Sequence, residues 1–216
     1  MKQSIELVVL ATTKVGEGSV VVHTLSREFG RRGFIVRPGK KLSPALLMPL
    51  NILEAEVVEN PRSELWGLRG VSAADALGGI RGSVHKNAMS LFMAEVLFRT
   101  LREGAFEDGL YEWCVRSILT LDALEGDFQS YHILWLLDFA GALGFRPTFE
   151  DILPFADDSA AVLRQLMSLE FSQAMLVPLT GEKRTELCEV IIKYLEYHMD
   201  QPIRIKSLAV LRELYR

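Results

Sequence analysis

The chain has 216 residues, of which 49% are apolar and 24% charged, and its net charge at pH 7 is −4. This composition excludes a disordered or fibrous chain, and a core of this size needs neither metal nor disulfide to fold. No apolar run approaches the roughly 18 residues of a membrane span, and the first residues lack the layout of a signal peptide, so we expect a cytoplasmic protein.

The first 75 residues have the pattern of short strands separated by turns. Gly16–Gly18 is a predicted turn, and Gly30–Gly33 is predicted to be the tip of a hairpin, with glycine at both ends for unusual backbone angles. Five short strands predict a small barrel of the size of an OB-fold, but strand counting alone fits an SH3-like barrel equally well. The predicted strands cover residues 5–11, 19–25, 34–37, 52–59 and 65–71.

The rest of the chain has the apolar period of helices, close to 3.6 residues. Ser130 and Ser159 are predicted to cap two of these helices, and Thr180 precedes another. The glycine-rich stretch 73–83 is the predicted junction, so we expect a barrel domain at 1–75 and a helical domain at 76–216. The predicted helices cover residues 84–102, 110–124, 131–143, 160–169, 184–199 and 206–215.

Basic residues are concentrated near the N-terminus, although the whole chain is acidic. Residues 1–75 carry 10 Lys and Arg against 8 Asp and Glu, whereas residues 76–216 carry 14 against 20. A bound anion responds to the local field, because the Debye length is about 8 Å at physiological salt. The densest group therefore predicts a surface for an anionic partner. Its seven bases are Lys14, Arg27, Arg31, Arg32, Arg37, Lys40 and Lys41.

The sequence has no recognisable catalytic motif. A GxSxG turn, a P-loop, a dinucleotide-binding fingerprint and an HExxH helix are all missing. Cys114 and Cys188 lie in apolar helical patterns and are expected to be buried free thiols. We therefore predict no enzyme activity, no catalytic residue, no cofactor and no metal. One alternative stays open, because the acidic pairs Glu150-Asp151 and Asp157-Asp158, predicted to lie in a loop, can hold a hard cation.

Motifs in a fixed order along nearly the whole chain resemble those of the RecO family of bacterial recombination mediators. An apolar strand ends in Val9-Leu10, the turn Glu17-Gly18-Ser19 follows, and a later helix contains Phe92 to Leu97. The resemblance depends on the order and spacing of all these elements. The others are Leu25 to Gly30, the basic loop Pro38 to Ser43, Leu47 to Leu50, Leu110-Tyr111, Gly144-Phe145-Arg146-Pro147, Tyr194-x-x-Tyr197-His198 and Lys206-Ser207-Leu208.

The sequence departs from the family pattern in two places. Many RecO proteins carry four zinc-binding cysteines after the Gly-Phe-Arg-Pro turn, whereas residues 148–171 contain none, so the chain resembles a zinc-free branch. The basic loop at 39–49 is shorter than usual, and Ser26 stands where the family has threonine. The shorter loop is expected to weaken DNA contacts.

The resemblance implies both a fold and a function. RecO proteins join an N-terminal five-stranded OB-fold barrel to a C-terminal all-helical domain, an α+β architecture. They bind single- and double-stranded DNA, anneal complementary strands, and with RecR help load RecA onto DNA coated by the single-strand-binding protein SSB. They are not classed as enzymes, and we expect a nucleoid-associated protein. Under this resemblance the seven bases contact DNA, and nearby Phe29 and Phe34 are candidates for stacking on its bases.

The helical domain is expected to bind the C-terminal tail of SSB. The resemblance implies that this tail ends in a phenylalanine bearing the terminal carboxylate, a ligand that needs an apolar pocket beside a cation. Two rival interpretations are a scaffold whose barrel binds a protein partner rather than DNA, and a metal-dependent nuclease that uses the acidic pairs. The candidate cations for the tail are Arg116, Arg146, Lys183, Arg184, Lys193 and Arg204.

Overall fold

Five strands close into a barrel in the computed structural model, which describes residues 2–37, 42–63 and 65–215. Their order around the barrel is β1-β2-β3-β5-β4, with β4 paired back to β1. Strands β3 and β5 run parallel, and the other neighbours are antiparallel. This is an OB-fold barrel followed by helices, so the predicted fold class is confirmed. The strands are β1 Lys2–Val15, β2 Ser19–Ser26, β3 Gly30–Val36, β4 Ile52–Val58 and β5 Trp66–Ala73.

Alternate residues of each strand fill the barrel, because successive strand side chains point to opposite faces. Leu7, Val22 and Phe34 are among the apolar side chains buried in its core. Strand β1 pairs with β4 through its first half and with β2 mainly through its second half. A register shift between Val9 and Ala11 marks an irregularity where β1 continues along β2.

The hairpin between β2 and β3 turns at residues 27–29, which corrects the predicted tip at Gly30–Gly33. The ladder that joins β3 to β2 already includes Gly30, so all four residues of the predicted tip belong to β3. Because adjacent strand residues face opposite sides of a sheet, Arg31 and Arg32 point to different surfaces. The two arginines therefore do not form one basic tip.

Nine α-helices follow the barrel in the described residues, with two short 3₁₀ helices at Leu153–Phe155 and Asp157–Ser159. The six predicted helices are all present, with ends within three residues of the predicted ones. The other three, α1, α5 and α7, have four or five residues each and are too short to show an apolar period. The helices are α1 Gly78–Arg81, α2 Val84–Thr100, α3 Leu110–Ala123, α4 Tyr131–Ala142, α5 Phe149–Ile152, α6 Ala160–Ser168, α7 Phe171–Met175, α8 Gly181–Met199 and α9 Ser207–Leu214.

The connection between α2 and α3 lies along the start of β3. The Arg31 amide donates a hydrogen bond to the Ala105 carbonyl over 3.4 Å, and the Gly104 amide donates to the Arg31 carbonyl over 2.9 Å. Gly30 has a φ of +56°, and a Cβ atom at this position would lie 2.1 Å from the Ala105 oxygen. Gly30 is therefore required by a close backbone approach rather than by a hairpin tip.

The acidic pair Glu150-Asp151 lies in the first turn of a capped helix. Glu150 and Asp151 lie in α5 rather than in the predicted loop, and Asp151 forms a reciprocal capping box with Thr148. Hydrogen bonds from Thr148 hold the pKa of the Asp151 carboxyl below its usual value. Ser130 and Ser159 occupy N-cap positions, but neither hydroxyl makes the predicted capping hydrogen bond.

The chain divides into two compact units. Residues up to Gly78 pack with Met93–Ile118, and we name this the barrel unit. Gly79–Phe92 pack with residues from Leu119 onward, and we name this the helical unit. The domain boundary predicted between residues 75 and 76 stays a prediction. Among the described residues, no helix has the combined length and hydropathy needed to cross a membrane.

Candidate nucleic-acid interface

The seven bases predicted to contact DNA have different environments in the barrel unit. Lys14, near the end of β1, and Arg37, directly after β3, are exposed to solvent. Lys40 and Lys41 lie outside the described residues. The remaining three, Arg27, Arg31 and Arg32, each contact side chains of the same unit, and their role in DNA binding stays a prediction.

Arg27, in the turn after β2, is paired with a carboxylate of α3. Its Nε donates a hydrogen bond to Glu112 Oε1, and its guanidinium lies 5.7 Å from the centre of the Tyr111 ring. A backbone hydrogen bond and the Arg27 side chain lower the pKa of the Glu112 carboxyl. The Arg27 side chain nevertheless remains 65% exposed, so an external anion can reach it.

Arg31 points outward from β3 but is covered. Its side chain is 12% exposed, its guanidinium lies 4.7 Å from the centre of the Phe98 ring, and Nη1 is 3.9 Å from Glu103 Oε2. The other oxygen of Glu103 accepts a hydrogen bond from the Gly33 amide over 3.0 Å. Burial lowers the pKa of the Arg31 guanidinium. These contacts make Arg31 a structural residue that joins β3 to the end of α2.

Arg32 lies on the opposite face, among aromatic rings. Its guanidinium is 3.9 Å from the centre of the Trp66 ring and 5.6 Å from that of Phe29. Phe34 is completely buried in the barrel core, so it cannot stack on a nucleic-acid base. Phe29 is half-buried, with its ring edge-on to Trp66 at 5.7 Å and to Phe34 at 6.0 Å. Of the two predicted stacking residues, only Phe29 retains exposed surface.

An open groove lies where β3 and β5 separate. Only two residue pairs join these strands, Phe34 with Trp66 and Ile35 with Gly67. Beyond them is a cavity of about 790 Å³, which we name the β3–β5 groove. Exposed Arg37 and Arg69 line it, together with half-buried Leu42, the residue that follows Lys40 and Lys41 in the chain. Apolar side chains and two exposed arginines thus line one opening.

The sequence prediction left out several exposed bases of the barrel unit, among them Arg62, Arg69, Arg99 and Arg102. Arg69 is an isolated base in β5, and Arg99 and Arg102 follow the barrel in sequence, within or directly after α2. Arg99 lies 5.7 Å from the centre of the Phe98 ring and 3.9 Å from a Glu95 carboxylate oxygen. A search for local charge density passes over Arg69 because it stands alone, and over Arg99 and Arg102 because Glu95 and Glu103 lie beside them in sequence.

The helical unit contains a second cavity, of about 860 Å³, at the start of α8. Leu179, Arg184, Arg212 and Tyr215 line it, and the Arg184 guanidinium lies 5.2 Å from the centre of the Tyr215 ring. Partial burial lowers the pKa of this guanidinium. An aromatic ring, an aliphatic side chain and two cations therefore face one opening, which we name the α8 cavity.

The other candidate cations for the SSB tail lie elsewhere. Lys183 pairs with Glu186, and Arg146 Nη2 lies 3.6 Å from Asp138 Oδ1. Lys193 and Arg204 are exposed, and Arg116 belongs to the barrel unit. Arg184 is the member of the predicted set that lines the α8 cavity.

Metal-binding groups do not cluster in the part of the chain that the structure describes, where no three His, Cys, Asp or Glu side chains converge. Cys114 and Cys188 are buried free thiols, as predicted. Burial raises the pKa of Cys114 to about 12, so this thiol stays protonated at neutral pH. The absence of zinc stays a prediction.

Comparison with known proteins matches both parts of the chain to one family. The family model "Recombination protein O N terminal" covers residues 1–77, and "Recombination protein O C terminal" covers residues 81–153. The chain is 28% identical to the DNA repair protein RecO of Bacteroides fragilis, with 96% of this chain and 97% of that protein aligned. It is 27% identical to the RecO of Phocaeicola vulgatus, over the same shares, and 24% identical to that of Flavobacterium psychrophilum, over both full lengths.

An OB-fold barrel with exposed arginines beside an open groove is an arrangement that many nucleic-acid-binding proteins share. The family models cover more than half of the chain and the relatives align with nearly all of it. The chain belongs to the RecO family of DNA repair proteins.

Proposed function

We propose that this protein is a recombination mediator that binds single- and double-stranded DNA, anneals complementary strands and, with RecR, helps load RecA onto SSB-coated DNA. The observation that carries the proposal is the pair of exposed arginines, Arg37 and Arg69, beside the open groove of an OB-fold in a RecO family member. In this proposal the protein acts by binding alone, without a catalytic residue or cofactor, and works on the nucleoid in the cytoplasm.

The β3–β5 groove is the proposed path of the DNA backbone. Arg37 and Arg69 are exposed there, and Lys40 and Lys41 are close in sequence to Leu42 on the groove wall. Four cations of this kind neutralise phosphates without reading bases, which suits a mediator that must act on any sequence. Neutralised phosphates also repel a second strand less, so the same contacts favour annealing.

The α8 cavity is the proposed site for the SSB tail. Leu179 and the Tyr215 ring offer apolar surface to a terminal phenylalanine, and Arg184 and Arg212 offer cations to its carboxylate. A bidentate guanidinium–carboxylate contact fixes the orientation of such a ligand as well as its affinity. Arg184 is already stacked near Tyr215, so little side-chain freedom is lost on binding.

A protein-binding barrel is the second candidate function. Ile35, Leu42, Leu65 and Val71 also line the β3–β5 groove, and such apolar surface can accept a peptide instead of a nucleic acid. The two candidates differ in their response to salt, because release of counterions from phosphates dominates only the DNA complex.

A fluorescence-anisotropy titration of labelled single-stranded DNA without magnesium tests the proposed function. Four phosphate contacts predict that log K falls against log salt with a slope of about −3 on single strands. Absence of DNA binding at low salt, together with capture of purified RecR, would support the scaffold. Binding and cleavage that appear only with magnesium would support the nuclease interpretation.

A further inference from the structure

Arg27 is exposed to solvent, and its guanidinium group forms an ion pair with the Glu112 carboxylate. Both residues belong to the barrel unit, and their side chains are 65% and 39% exposed. Glu107, Asp108 and Arg116 line the same crevice of about 350 Å³, so its three carboxylates outnumber its two guanidinium groups. The protein itself therefore already supplies a carboxylate to Arg27, in the turn after β2.

We propose that Glu112 is an internal competitor of DNA for Arg27. The inference rests on the proposed function, since it assumes that the barrel unit binds DNA. Carboxylate and phosphate offer a guanidinium the same kind of charged oxygen, so only one of them satisfies it fully at a time. DNA gains the contact with Arg27 only by displacing the Glu112 carboxylate. Glu112 thus lowers DNA affinity, which suits a protein that must pass its DNA to RecA.

The exposure of the pair makes this exchange feasible. Solvent-exposed ion pairs contribute only about 0–1 kcal/mol to stability, so a strand with several phosphates can displace the carboxylate. Arg27 also keeps its position without Glu112, because its guanidinium lies over the Tyr111 ring. Loss of the carboxylate is therefore expected to leave Arg27 in place and available.

The neighbouring Arg31–Glu103 pair has a different role. Arg31 is almost covered, and one oxygen of Glu103 accepts the hydrogen bond from the Gly33 amide. Release of Glu103 would leave a strand amide without its partner, so this pair stabilises the barrel rather than competing with DNA. The inference is accordingly limited to Glu112.

A double-mutant cycle on the full chain tests the proposal with labelled single-stranded DNA at low salt. Glu112→Gln should tighten binding about 2- to 5-fold, because DNA no longer has to break one exposed ion pair. It should also steepen the slope of log K against log salt by about 0.7, because one phosphate contact is added. Arg27→Gln alone should change affinity little, and in the Glu112→Gln background it should abolish the gain. Glu107→Gln, an equal change of charge in the same crevice, is the matched control and should produce a smaller gain.

Three results would overturn the inference while leaving DNA binding intact: no gain from Glu112→Gln, an equal gain from Glu107→Gln, or a gain from Glu112→Gln that persists without Arg27. If the wild type and every variant fail to bind DNA at low salt, the proposed function fails together with it. Thermal unfolding checks that each variant folds. If Glu112→Gln unfolds at a lower temperature than the wild type, Glu112→Ser replaces it in the same cycle, with the same expected and contrary results.

Discussion

The Tyr111 hydroxyl donates a hydrogen bond to Glu6 Oε1 over 2.5 Å, joining helix α3 to strand β1 across 105 positions of the chain. Tyr111 is almost fully buried, so its hydroxyl has exchanged water for this one carboxylate. The contact shows that residues beyond the predicted barrel domain contribute to the stability of the barrel unit.

We expect Tyr111→Phe to reduce the free energy of unfolding by about 1.5–3 kcal/mol, the usual worth of a hydrogen bond to a charged group. Burial and the Glu6 carboxylate raise the pKa of Tyr111, so the folded state favours the neutral phenol. Its contribution is complete below the unfolded pKa of about 10 and is lost as the pH rises through the folded pKa. Urea unfolding from pH 7 to pH 10.5 should therefore show a flatter alkaline decline in the variant. Tyr197→Phe, at a 72% exposed position, is the control and should match the wild type.

Gly30 provides a second test of the connection between β3 and the segment after α2. Gly30→Ala places a methyl group 2.1 Å from the Ala105 oxygen at a φ of +56°, so we expect a loss of about 2–4 kcal/mol. Gly18→Ala has a similarly positive φ of +82° but no atom within 4 Å, and should cost about 1 kcal/mol. Equal losses in thermal unfolding would show that the close approach to Ala105 contributes nothing.

His132 predicts acid sensitivity of the helical unit. The side chain is buried in α4 and stacks parallel to Tyr215 at 6.3 Å, and burial lowers its pKa to about 3. Because the folded state favours neutral imidazole, the stabilising contribution is complete above the unfolded pKa of about 6.5 and is lost as the pH falls toward 3. His132→Gln should flatten the decline in stability between pH 6.5 and pH 4, whatever its effect at neutral pH. An unchanged acid decline in His132→Gln would show that protonation of this buried imidazole does not limit stability.

The proposed placement of the SSB tail in the α8 cavity predicts which cation would recognise it. Arg184→Gln should weaken binding of a synthetic tail peptide by about 10-fold or more, because a carboxylate then loses a charged partner. Arg204→Gln removes the same charge from an exposed position outside the cavity and should change affinity less than 2-fold at physiological salt. Isothermal titration with the peptide and with a version lacking its last phenylalanine gives both comparisons. If Arg184→Gln keeps the wild-type affinity, or if the shortened peptide binds as well as the full one, the α8 cavity is not the binding site.

Periodic apolar patterns were sufficient to predict a small barrel and the six longer helices that follow it in the chain. The pattern failed at Gly30–Gly33, because the glycine that resembled a hairpin tip is required by Ala105, 75 positions later. A close approach between distant segments leaves no local signal in a sequence. One-turn helices such as α5 were missed for a related reason, since four residues do not show a period.

Charge density predicted a basic barrel but not which bases are accessible. Arg27 and Arg31 contact carboxylates that follow them by more than 70 positions in sequence, and Arg69 was passed over because it stands alone in β5. Replacement of Arg31 and Arg32 by glutamate, an obvious test from sequence, would now report on barrel stability as much as on DNA binding. The structure directs attention to Arg37 and Arg69 instead.

The central claim is that DNA follows the β3–β5 groove, and the most direct measurement is the salt dependence of DNA affinity in Arg37→Gln with Arg69→Gln. We expect the double variant to bind labelled single strands about 10-fold more weakly at low salt, with a slope of log K against log salt shallower by about 1.4. The control double variant, Arg164→Gln with Arg204→Gln in the helical unit, should keep the wild-type slope. A groove variant that folds and keeps the wild-type affinity and slope would contradict the assignment of DNA binding to this groove.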